Sequence, residues 1–283
     1  MSNIARAAGL TFMELMVALT LGVMTVAAMS HLYVLAENGQ RVQSDINLLQ
    51  ENMRTVNRLL VHSIQQAGWM GCSVIAPDIA FNNHTALDIS ANNRVSVYAG
   101  SDKKQDSEGV TVWYAGNEEG LLAADMLQLS VLSTLSNVKI SAGDFLLITD
   151  CQSTELVEVK QVMRMSNGEK KISLMQPLTK IFFKNAEIRK LEITSYFISN
   201  TGRMDARHHV VYGLFAKTIH HSKVELIENI DDMQVSGDEV EDDHVVQKNL
   251  AENSDASKLQ GLLMTLHFTF PKNDYVYAAL PHV

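Results

Sequence analysis

Glu14 stands at the head of an apolar run, Leu15 to Ala36, whose 22 residues include no Asp, Glu, Lys or Arg. A carboxylate in hydrocarbon costs on the order of 2.5–3.5 kcal/mol on insertion scales, so such a residue normally has a cationic partner or a role. Cys72 and Cys151 are the only cysteines, an even pair at wide spacing with no Cys-x-x-Cys and no adjacent ligand histidine to suggest zinc. They read as one disulfide, which requires an oxidising compartment; two free buried thiols are the competing reading. His208-His209 and His220-His221 lack a metal spacing such as His-Glu-x-x-His, and neighbours on a strand face opposite sides, so they read as surface or loop histidines. Glu225 to Asp243 holds nine carboxylates and no Lys or Arg. Asp238, Glu239, Glu241, Asp242 and Asp243 offer hard oxygens that could hold Ca²⁺, but without the order of an EF-hand loop. A solvated, self-repelling loop is the plainer reading. With no Gly-x-Ser-x-Gly and no phosphate-binding glycine loop, the expectation is a protein without enzymatic activity or cofactor.

These groups need elements to carry them. At about 1.5 Å per residue, Leu15 to Ala36 spans the roughly 30 Å core of a bilayer. Ahead of it, Met1 to Gly9 carries one charged side chain, Arg6, on the side expected to stay in the cytoplasm. An ordinary secretory signal cut after Val26-Ala27-Ala28 is the alternative. Against it, the apolar run continues to Leu35 and Glu14 interrupts its front. Ile46, Leu49, Met53, Val56, Leu60 and Ile64 then recur at the spacing of one helical face, with Asp45, Asn47, Gln50, Glu51, Arg54 and Arg58 suited to the wet face. A helix from about Leu10 to Ala67 would be roughly 87 Å long, with Gly68 as its stop and Gly22 and Gly39 as tolerated or bending positions.

From residue 85 onward the period shortens to that of strands, at 94–98, 110–114, 126–131, 144–149, 154–163, 171–175, 191–198, 210–215, 224–234 and 262–270. Segments 99–109 and 236–260 are polar and expected to be loops. The class is α+β: a helical spine packed on antiparallel sheet. With 283 residues and 46% hydrophobic content the chain can bury a sizeable core. Its 23 Lys+Arg against 32 Asp+Glu give a net charge of −9, which disfavours a broad nucleic-acid face.

Gly9-Leu10-Thr11-Phe12-Met13-Glu14-Leu15-Met16-Val17-Ala18-Leu19 resembles the class III signal of type IV pilins and pseudopilins, with Leu10 where Phe is commonest and Met13 where Leu or Ile is. The resemblance implies cleavage after Gly9 by a prepilin peptidase, N-methylation of Leu10, and a role for Glu14 in neutralising the Leu10 ammonium of a neighbouring subunit. Such a pairing removes two charges that would each be expensive in an apolar filament core. Leu49-Gln50-Glu51-Asn52, Ala67-Gly68-Trp69-Met70-Gly71-Cys72, Gly143-Asp144 through Cys151, and Glu225 through Val235 further resemble PilW-type minor pilins.

The implied organisation is a leader (1–9), a membrane or filament-core helix (10–36), its amphipathic continuation (37–68) and a periplasmic β-rich domain (69–283). A Cys72–Cys151 bond would close a loop of about 80 residues and tie sheet to spine. The resemblance implies a Gram-negative inner-membrane precursor that later joins a pilus. Its implied partners are other minor pilins, the major pilin, a tip adhesin, the peptidase and the inner-membrane assembly platform. The implied function is initiating or capping pilus assembly. The alternatives are a type II secretion pseudopilin, an adhesive or ligand-binding tip module and, with least support, an anchored periplasmic enzyme.

Overall fold

The uncharged run and the stripe that follows it form one continuous helix, α1 (Phe12–Gln66, 55 residues). Gly22 and Gly39 lie within it without interrupting it. The computed structural model describes residues 12–72, 80–90, 94–99, 107–135, 138–205, 208–241, 244–249, 259–269 and 274–279. The chain divides into two compact units, Met1–Thr55 and Val56–Val283. In the first, α1 is exposed along its apolar stretch, with Leu15, Leu19, Val23, Val26, Leu32 and Leu35 each more than half accessible or close to it. It is long and apolar enough to cross a membrane. Gly9 and Leu10 lie outside the described residues.

In the second unit the last turns of α1 pack on sheet, burying Val56, Leu60 and Ile64 of the expected stripe while Arg58 stays exposed. The Ser63 and Tyr196 hydroxyls share a hydrogen bond of 2.6 Å within this buried face. The helix stops as expected: Gly68 takes a positive φ of 77°, the conformation that frees glycine from the steric cost of a Cβ. Its N–H then donates to the Trp113 carbonyl at 2.7 Å, so the chain passes directly from helix to sheet.

The first sheet holds β1 (Ala80–Asn83), β2 (Val95–Ala99), β3 (Glu108–Leu121), β4 (Val131–Thr134), β5 (Phe145–Thr149), β6 (Ser153–Arg164), β7 (Lys170–Leu174), β8 (Glu187–Met204), β9 (Val210–Thr218) and β10 (Val224–Glu228). Its order is β10-β9-β8-β5-β6-β7-β4, with β3 joined to β8 and β2 to β3. All these pairs are antiparallel except β1, which runs parallel to β6. The second sheet, β12-β11-β13-β14, comprises β11 (Ile230–Glu241), β12 (His244–Asn249), β13 (Leu259–Thr269) and β14 (Asp274–Ala279). β11 lies against β3, β8 and β9 and buries Ile230, Met233 and Val235 there. The expected α+β class is the observed one.

Three expectations are corrected. The run 224–234 is not one strand: Asn229 takes a φ of 63°, and the chain leaves β10 in the first sheet to enter β11 in the second. Asn accepts this left-handed region more readily than most residues. The segment 126–131 alternates like a strand, yet the Val131 N–H bonds back to the Gln128 carbonyl and only Val131 onward pairs with β7. The polar segment 236–260 is in part strand, because β11 continues to Glu241 and pairs with β12 through Asp238↔Gln247, Glu239↔Val246 and Glu241↔His244. A hairpin tolerates acidic positions where its backbone groups are paired and its valines, Val240, Val245 and Val246, keep strand propensity.

Candidate assembly helix and its anchorage

Within the uncharged stretch of α1, three hydroxyls return to the helix's own carbonyls. Thr20 donates to Val17 at 2.9 Å, Thr25 to Gly22 at 2.8 Å and Ser30 to Val26 at 2.8 Å. A hydroxyl satisfied in this way can enter apolar surroundings without the cost of an unmade hydrogen bond. Glu14, in the first turn of α1, stands N-terminal to all three and is the acidic residue of that turn. The nearest charges along the helix toward the sheet, Glu37 and Arg41, pair with each other as an i,i+4 bridge.

The anchorage of the helix end is built around Arg189 on β8. Its guanidinium lies over the Trp69 ring at 4.7 Å, pairs with Glu119 at 3.0 Å and donates to the Gly116 and Asn117 carbonyls, both at 3.1 Å. It also bonds Glu187. Glu187 in turn accepts the Cys72 N–H at 2.8 Å. The planar, five-donor head of Arg serves this site in a way that a lysine cannot. Gly71, with φ 94°, passes so close that a Cβ there would meet the Glu187 carboxyl at 2.9 Å. The backbone completes the join, with the Ala115 N–H donating to the Trp69 carbonyl at 2.7 Å. Met70, Trp113, Leu147, Leu156 and Leu191 form the core beneath.

Cys72 and Cys151 are disulfide-bonded, with Cα atoms 5.1 Å apart. Cys151 sits at φ 67° in the turn from β5 to β6, where Asp150 accepts the Ser153 N–H at 2.9 Å and the Gln152 N–H at 3.2 Å. Burial alone would raise the Asp150 carboxyl, but its bonds to Lys180 and these two N–H groups outweigh burial and hold it below its usual range. Its contribution to stability is present above the ordinary carboxylate pKa and is lost as pH falls through the lowered one. Gly143-Asp144 forms the turn into β5: Asp144 accepts the Ser141 N–H at 2.8 Å and pairs with Lys190 at 2.9 Å.

A second acid inside the sheet is Glu155, which is fully buried. It accepts the Thr179 N–H and hydroxyl and meets His84 Nε2 at 2.9 Å. β6 is covered on both faces around it, so either side of the strand is interior. The network joins the loop after β1 to the loop after β7 and needs no ligand to be satisfied.

The paired histidines lie in turns, with His209 beside Asp205 at 3.5 Å and His220 near Asp144 at 3.8 Å. Among the described residues no three His, Cys, Asp or Glu side chains could hold a metal together. Of the Ca²⁺ candidates, Asp238, Glu239 and Glu241 lie along β11, and Asp242 and Asp243 lie outside the described residues. Sequence reasoning missed Arg189, Glu187 and Glu155. Each is a charged residue in a strand whose neighbours mix charged and apolar types, Glu-Ile-Arg-Lys-Leu-Glu at 187–192 and Thr-Glu-Leu-Val-Glu at 154–158, so residue type alone does not single it out. No family model, curated protein or solved structure matches the chain.

Proposed function

We propose that this chain is a PilW-like minor pilin, a non-enzymatic subunit held by α1 in an inner membrane and later packed by the same helix into a type IV pilus. The observation that carries the reading is an exposed helix with an uncharged stretch, self-satisfied hydroxyls and one carboxylate, Glu14, at its head. Such a surface is suited to lipid and equally to other apolar helices, and the carboxylate selects a neighbour offering a cation. The partners are other minor pilins, the major pilin and the assembly platform, and the globular unit faces the periplasm. Its function is to help start or cap the filament.

N-terminal mass spectrometry of the protein recovered from its native envelope tests this reading. The expected start is N-methyl-Leu10; a start at Met29 would mark an ordinary secretory signal and sink it. A second expectation concerns Glu14→Leu. The variant should stay membrane-bound but enter sheared filaments about 100-fold less, the equivalent of leaving an ammonium unpaired at about 2.5–3.5 kcal/mol. Immunoblots of the sheared and membrane fractions read both quantities, and undiminished filament entry would remove the role of Glu14.

A further inference from the structure

The β4 end of the first sheet carries a lobe whose outward face is apolar. Beyond β3 and beyond β7 the chain runs as two loops, 122–130 and 175–186, zipped together by backbone bonds. The Leu122 N–H donates to the Ala186 carbonyl at 2.9 Å, the Met126 N–H to Phe182 at 3.1 Å and the Leu178 N–H to Leu129 at 2.9 Å. Leu122, Met126, Leu178 and Phe182 turn inward to the core. Between them stand Leu127, Leu129, Ile181 and Phe183, all exposed, with Leu127 93% and Phe183 70% accessible. Leu127 also rims an open cleft of about 280 Å³ lined by Met126, Val131, Leu132, Met165 and Lys171. Single exposed apolar side chains are ordinary; a cluster of them around a cleft marks a contact surface.

Charge says what covers it. Lys160 and Arg164 on β6, Lys171 on β7 and Lys184 beside Phe183 are exposed and form no ion pair among the described residues, whereas Lys180 and Lys190 are taken by Asp150 and Asp144. The two carboxylates at the cleft, Asp125 and Glu169, accept the Lys184 N–H at 2.8 Å and Asn167 Nδ2 at 2.9 Å. The opposite surplus lies in 225–243, with nine carboxylates and no Lys or Arg. Arg203 takes Glu225 and Glu228. Further on, the strand register sets Asp238, Glu239 and Glu241 of β11 opposite Gln247, Val246 and His244 of β12, and the first two opposite Gly261 and Leu259 of β13. No Lys or Arg stands across from any of them.

We propose that the apolar lobe of one copy binds the acidic β11–β12 hairpin of a second copy of this chain, with Leu127 and Phe183 as the apolar anchors and Lys171 and Lys184 serving the carboxylates. The hairpin's sequence offers both halves of the match, carboxylates for the cations and Val240, Val245 and Val246 for the apolar row. An apolar centre with charged groups at its rim is the usual anatomy of such a contact, and the charges fix partner and orientation more than they add affinity. Within one chain the two surfaces stand apart: β11 packs on β3, β8 and β9, while the lobe is built on β6, β7 and β4 at the other end of the strand order. The contact is therefore heterologous, and each added copy leaves one lobe and one hairpin open. It concerns the globular unit and does not rest on the pilin reading of α1.

The test is sedimentation of the full-length protein in detergent micelles at low and high salt, for wild type, a lobe variant (Leu127→Ser/Phe183→Ser) and a hairpin variant (Glu239→Lys/Glu241→Lys). Wild type should form dimers and longer species that shrink as salt screens the charges. Each variant alone should associate at least about 10-fold more weakly. An equimolar mixture of the two should recover dimers and nothing longer, because only the hairpin of the lobe variant and the lobe of the hairpin variant are intact. A wild type that stays monomeric at low salt overturns the proposal and leaves the lobe to a different acidic partner. Association that survives in both variants places the contact on α1 or another face, and a mixture without recovery excludes the head-to-tail pairing; either result also overturns it. Should the hairpin variant fail to fold, the lobe variant decides, since both of its substitutions are at exposed positions: association equal to wild type excludes the lobe.

Discussion

Replacing Arg189 by Ala lowers the stability of the full-length protein in detergent micelles by about 3–5 kcal/mol, the range for removing one partner of a buried ion pair. The size follows from what is left behind. Glu187, with 9% of its side chain accessible, keeps the Cys72 N–H but loses its cation. The Gly116 and Asn117 carbonyls lose their donors, and Trp69 loses the guanidinium over its ring. Arg189→Lys recovers little, because one ammonium cannot reach two carboxylates, two carbonyls and a ring in one geometry.

The Glu187→Gln/Arg189→Ala double variant is expected to be more stable than Arg189→Ala alone, since the buried charge is gone. Chemical denaturation followed by tryptophan fluorescence measures all three variants. Trp69 and Trp113 are the chain's only tryptophans, and both belong to the anchorage. A loss under about 1 kcal/mol for Arg189→Ala would reduce the cluster to an exposed ion pair and remove it as the anchor.

What the sequence made legible and what it hid separate by range. The helix was visible because its evidence is local. The uncharged run and the three- and four-residue steps through Val56, Leu60 and Ile64 delimit an element observed over Phe12–Gln66, and Gly68 marks its end. Most strands were visible for the same reason, as alternating or continuous apolar runs. β1 was not, because Ala80–Asn83 is short and half polar, and its parallel pairing with β6 is set by a partner more than 70 residues away. The break at Asn229 was hidden by apolar alternation that continues on both sides of it, though the residue type is one that accepts the turn. The anchorage was the least legible part. Arg189 meets Glu119 because β3 and β8 pair in one register, and it meets Trp69 far back in the chain; only its contact with Glu187, two residues away on β8, is local.

Reducing the Cys72–Cys151 disulfide is expected to cost about 3–4 kcal/mol while leaving the native fluorescence of the two tryptophans unchanged. The half-cystines are 79 residues apart, for which loop-closure entropy in the unfolded chain gives an upper value of about 4.5 kcal/mol. Residual compactness of the unfolded state trims that figure. The native fold keeps its other ties across the same junction. Gly68 and Ala115 still exchange backbone bonds with the partner segment, Ser63 still meets Tyr196, and Arg189 still covers Trp69. Both half-cystines are exposed, so a reductant reaches them without unfolding the protein.

The disulfide therefore acts mainly on the unfolded chain, and its removal should also steepen the dependence of stability on denaturant, as a less constrained chain exposes more surface. Denaturation curves with and without reductant, together with thiol counts on the native protein, measure both effects. Two free thiols before reduction would exclude the bond. An unchanged midpoint would mean that the helix end is held by Arg189 and its neighbours alone.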